Sequence, residues 1–131
     1  MLKSPDMRTR IATLMLIGLA GIDLHAELTV KDYQQSISSP NETIVQMTKT
    51  YIEGLGEGLT WMNTIELSRH GTPAFCQPGK LALTTDNYRQ MLDAQITAAS
   101  AVAPKAQLDA TPVPLLLLQG LKTTFPCPKG K

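Results

Sequence analysis

The chain has 131 residues, enough for one domain, and its twelve basic and eleven acidic side chains leave a formal net charge of +1. That balance, with no basic stripe anywhere along it, excludes a nucleic-acid binder, which needs a cationic excess or a cationic face. Hydrophobic residues make up 43% of the sequence, enough to exclude a disordered chain.

The first 26 residues have the layout of an export signal. Lys3, Arg8 and Arg10 form a positive start, Ile11 to Ile22 is an uncharged apolar run of 12 residues, and Leu24-His25-Ala26 ends on a small residue suited to cleavage. The run is too short to cross a bilayer, which takes about 20 residues. Thr9 separates the two arginines, so the twin-arginine pattern is not met. Met7 is an alternative start that leads to the same mature chain. Cleavage after Ala26 predicts a single domain over 27–131, with nine basic and nine acidic side chains, no membrane span of its own and a periplasmic location.

Four helices are expected in the mature part. The first covers about Val30 to Ile37; a Ser38-Ser39-Pro40-Asn41 turn follows, with Asn41 as N-cap. The second should run from Glu42 to Met62, its buried face carrying Ile44, Thr48, Tyr51, Ile52, Leu55, Leu59 and Met62. Residues 63–82, punctuated by Gly71, Pro73, Pro78 and Gly79, read as a long connection tied down by Cys76. A third helix is capped at Thr84 or Thr85 and buries Tyr88, Met91, Leu92, Ile96 and Ala99. Residues 100–110 read as a loop. The last helix opens at Thr111-Pro112, with threonine as cap and proline at its first position, and its apolar residues predict deep burial. Phe125-Pro126-Cys127-Pro128 ends it. No strand alternation is visible, so the expected fold is all-α, about four helices in one small domain without a sheet.

Cys76 and Cys127 are the only cysteines, and both fall in the exported part. An even pair in an oxidising compartment predicts a disulfide. No CxxC is present and His70 is the only histidine of the mature chain, so a metal or redox role finds no ligand set.

The candidates for chemistry are thin. Ser68 and His70 lie two apart without a nucleophile-elbow pattern. Glu66 and His70 supply two ligands where zinc needs three or four. Glu53 and Glu57 sit one turn apart on one helix rather than across a cleft. The run Gly54-Leu55-Gly56-Glu57-Gly58 lies inside a helical pattern, whereas a phosphate-binding loop follows a strand. No catalytic residue, cofactor site or metal site is expected. Gly54, Gly58 and Trp61 share a helical face on which another helix could approach closely, from this chain or from a second copy. Asn41-Glu42-Thr43 matches a glycosylation sequon, although capping already accounts for Asn41.

An export signal, Tyr51-Ile52-Glu53-Gly54 in a central helix, Phe75-Cys76-Gln77-Pro78, a threonine-capped helix at Thr84 and Phe125-Pro126-Cys127 together resemble the Rap/Tai type of periplasmic immunity protein of bacteria that use type VI secretion. The resemblance spans about residues 30–128. It implies a small, all-helical, often homodimeric protein that binds a peptidoglycan amidase injected by sister cells and occludes its cleft, without catalysis of its own. Many members carry a further cysteine pair where this chain has Thr48 and Ser36. The partner-binding segment is expected over residues 63–78, with Glu66, Ser68, Arg69 and His70 at its polar tip and Arg69 as the preferred contact. The alternative function is a general periplasmic helical stress protein or acid chaperone without a dedicated toxin.

Overall fold

The computed structural model describes residues 27–129; the predicted leader, Met1–Ala26, lies outside them. Five helices follow in order: α1 (Val30–Ile37), α2 (Glu42–His70), α3 (Thr85–Ser100), α4 (Lys105–Asp109) and α5 (Val113–Thr124). Among the described residues there is no strand, only an isolated antiparallel bridge between Thr29 and Pro112. The fold is an all-α domain clamped by one disulfide, Cys76–Cys127.

Local chemistry sets most helix starts. The Thr29 hydroxyl accepts from the Asp32 amide while the Asp32 carboxylate accepts from Thr29, a reciprocal capping box that opens α1. Asn41 Oδ1 accepts from Thr43 N at 3.0 Å and opens α2. Thr84 and Asn87 form a second capping box at α3. The last helix departs from expectation by one residue: it begins at Val113 with Pro112 as N-cap and Pro114 in its first turn, and no side chain caps it. Thr111 is engaged elsewhere, its hydroxyl donating to Gln107 O at 2.8 Å to close α4. That short helix occupies part of the segment expected to be a loop, and it buries Leu108.

The larger correction concerns α2. The helix does not stop at Met62 but continues two turns further, through Glu66, Ser68, Arg69 and His70. Nothing between Asn63 and His70 breaks a helix; Gly71, at φ 71°, is the first residue to adopt the left-handed conformation, and its N–H bonds back to Leu67 O at 3.0 Å. The apolar period lapses at Asn63 because that residue turns a polar side chain inward.

The core is built from α1, α3 and α5 closing on one side of α2. Tyr33, Ile52, Phe75, Leu92, Leu117 and Leu121 are fully buried. Gly56 allows the close approach of α2 and α3: a Cβ there would lie 2.5 Å from the Tyr88 ring. Gly120 does the same between α5 and Met91. Val30 N to Thr111 O (2.9 Å) and Val113 N to Leu28 O (2.8 Å) tie the entry of α1 to the entry of α5. Of the stripe expected on α3, Tyr88, Leu92 and Ile96 are buried, and Met91 and Ala99 are half-buried against the core. In α5 the apolar surround is only partly covered, since Leu115 remains 60% exposed.

Candidate protein-binding surface

Helix α2 is covered along one side and bare along the other. Thr48, Ile52 and Gly56 face the core, with Leu55 and Leu59 half-buried beside them. Ile44, Tyr51 and Met62, expected inside, are exposed. Twenty-nine residues of helix make a rod of about 43 Å, longer than the short helices packed on it can wrap.

The far end of α2 is locked to the segment after it by a polar clasp. Asn63 Oδ1 accepts from Ala74 N (2.7 Å) and Phe75 N (3.2 Å), and Asn63 Nδ2 donates to Phe75 O (2.8 Å). Every polar group of one side chain is thus spent on the loop backbone. Phe75 is buried, and Cys76 N donates to Phe125 O at 2.8 Å beside the disulfide. Between this braced segment and the last turns of α2 runs a groove of about 460 Å³, walled by Thr60, Thr64, Leu67, Pro73, Gln77 and Leu81.

The four residues expected at the tip of a loop therefore sit on the last two turns of α2, and none of them lines that groove. His70 Nδ1 lies 2.8 Å from Glu66 Oε2, one turn back, in an exposed pair. Ser68 Oγ donates to Ile65 O at 2.9 Å, so its proton points to the backbone rather than to His70. Arg69 is exposed. The rigidity expected from Cys76 alone comes from helix geometry and Asn63 as well.

Of the other sequence candidates, Glu53 accepts from Thr85 Oγ1 at 2.9 Å and joins α2 to the start of α3. Gly54 and Gly58 are exposed, and a Cβ on either would meet nothing within 4 Å. No described helix of this chain approaches them; the close contact falls on Gly56 instead. Trp61, on the same face, is 69% exposed. Among the described residues no group of three or more His, Cys, Asp or Glu side chains could hold a metal ion, and no helix is long and apolar enough to cross a membrane.

Two features escaped the sequence pattern. A second groove, about 450 Å³, lies between α1 and the first half of α2, lined by Leu28, Asp32, Ser36, Ile44, Met47, Thr48 and Tyr51. A partly buried polar link joins α1 to α3: Tyr33 Oη donates to Asp93 Oδ1 at 2.9 Å. Burial raises the Tyr33 pKa to about 12; the Asp93 carboxylate adds to the rise and Arg89 opposes it. The spacing of Tyr33 and Asp93, 60 residues apart, carries no signal of this contact.

No family model, curated protein or solved structure matches the chain.

Proposed function

We propose that the chain is an exported protein inhibitor: a periplasmic immunity protein that binds a type VI secreted peptidoglycan amidase and occludes its active-site cleft. The observation that carries this reading is the rigid edge formed by the last two turns of α2, the Asn63 clasp and the Cys76–Cys127 bridge. An edge fixed before contact loses little conformational entropy on binding, which favours tight inhibition. Arg69 stands exposed on the last turn of α2, offering five donors in a planar fork. The resemblance to the Rap/Tai type names the partner class. The chain departs from that type at Ser36 and Thr48, which stand where many members carry a further cysteine pair and which line one groove here.

The test is to combine the mature protein with the nearest encoded cell-wall hydrolase and measure binding and residual hydrolysis. Tight binding with loss of activity is expected, and Arg69→Ala should weaken it by more than about 1 kcal/mol. No binding and no inhibition would overturn the reading. Protection of unfolded clients at low pH in its place would establish the stress-chaperone alternative.

A further inference from the structure

The groove between the end of α2 and the braced segment has a surplus of acceptors. Each side-chain donor group in its walls is already committed to a backbone carbonyl: Thr60 Oγ1 to Gly56 O (3.0 Å), Asn63 Nδ2 to Phe75 O (2.8 Å), Thr64 Oγ1 to Thr60 O (3.0 Å) and Gln77 Nε2 to Leu81 O (2.7 Å). The threonine oxygens keep lone pairs free. Gln77 Oε1 is buried without a hydrogen-bond partner. Pro73 and Pro78 bring no N–H, and no lysine, arginine or histidine lines the groove. Glu57, Thr60 and Thr64 follow one another at steps of three and four, so an exposed carboxylate stands on the same flank of α2, one turn before the groove. Among the described residues no cation pairs with it.

From this surplus we infer that the groove receives a basic side chain, lysine or arginine, of a partner polypeptide. Lysine and arginine carry several donors and no acceptor, the complement of these walls. Their aliphatic stems suit the rest of the lining: Leu67 and Leu81 are 52% and 43% exposed, and Phe75 lies buried beneath them. The charged head lies toward Thr60, Thr64 and Gln77, with the Glu57 carboxylate beyond. A buried acceptor without a partner costs stability until a donor meets it. Side chains at interfaces commonly change rotamer on contact, which brings Gln77 Oε1 to the incoming donor.

The size and stiffness of the groove fit such a guest. Its volume of about 460 Å³ falls within the roughly 300–1,000 Å³ of ligand sites. One wall is a helix, and the other is held by the Asn63 clasp and the Cys76–Cys127 bridge, so little order has to be created on binding. The groove beside α1 also holds carboxylates, Glu27 and Asp32, but Asp32 Oδ2 already accepts from Thr29, and no buried acceptor there lacks a partner.

This inference does not depend on the proposed amidase, because the probe is a capped amino acid standing for one residue of a polypeptide. On the mature, disulfide-bonded protein, N-acetyl-arginine methylamide should shift the amide resonances of residues 60–67 and 75–81 in a saturable way. It should bind at least about tenfold more tightly than its neutral isostere, N-acetyl-citrulline methylamide, because hydrogen bonds to a charged group are the stronger ones. Glu57→Gln should weaken the arginine probe about threefold or more and flatten its salt dependence, with helical circular dichroism unchanged, since Glu57 is exposed. Gln77→Met removes the unpaired acceptor and should weaken the probe as well; if that change unsettles the segment, Thr64→Val removes an acceptor from the helical wall instead. No saturable shift at these residues, equal binding of the citrulline probe, or arginine binding indifferent to both Glu57→Gln and Thr64→Val would overturn the proposal. Free arginine binding more tightly than the capped probe would also overturn it, in favour of a small-molecule site. Failure of the probe leaves the amidase reading standing, and failure of a hydrolase to bind leaves this site standing.

Discussion

At the scale of single residues, three glycines in one helix do two different things. Gly56 lies under the Tyr88 ring, and a Cβ there would sit 2.5 Å from it. Gly56→Ala should therefore destabilise the fold by about 1–3 kcal/mol, as overpacking does, measured by urea unfolding. Gly54→Ala meets nothing within 4 Å and should be neutral or stabilise the helix by up to about 1 kcal/mol. Tyr33 supplies a pH signature. Its folded pKa is raised by burial from 10.0 to about 12, so its contribution is fully present below pH 10 and is lost as pH rises toward 12. Ultraviolet titration should show a late tyrosine step near pH 12, and Tyr33→Phe should remove it. It should also lower stability at neutral pH, since the Asp93 carboxylate loses its donor.

At the scale of elements, the segment from Gly71 to Leu83 keeps its shape because two ties hold it, one covalent and one polar. Cys76→Ser should cost about 2–5 kcal/mol, as native disulfides of small exported domains do, read as a lowered Tm. Asn63→Ala removes three hydrogen bonds from one side chain and leaves the Ala74 and Phe75 amides without that partner. It should cost about 1–3 kcal/mol and speed hydrogen exchange at those two amides, while the exchange of α3 stays unchanged. Helix ends show how far sequence reaches. Asn41 and Thr84 are legible as caps because the capping side chain bonds an amide two or three residues on, within reach of any local pattern. The end of α2 is not. Asn63 and the polar residues after it look like the start of a loop, yet Asn63 is polar because it faces the backbone of residues 74 and 75, a contact made only once the chain has folded back. The breaker that matters, Gly71, was in view as punctuation, but its left-handed conformation is what ends the helix.

At the scale of the whole molecule, export is the prediction that stands on sequence alone. Sequencing of periplasmic protein should find Glu27 at the N-terminus, and residues 11–22 recovered intact in the membrane fraction would overturn the leader. Glu66, Ser68, Arg69 and His70, which the sequence suggests as a loop tip, lie on a helix, and the segment that follows is braced by Asn63 as well as by Cys76. Sequence by itself determined the all-helical class, the stripe of α3, two of the caps and the pairing of the only two cysteines. Each follows from chain-local spacing or from a choice with one solution. Tertiary structure alone decided which side of α2 is covered, since Ile44, Tyr51 and Met62 are as apolar as the residues that are buried and differ only in what packs on them. It also decided which of three glycines is crowded, because only the position of Tyr88, brought in from α3, separates Gly56 from its neighbours.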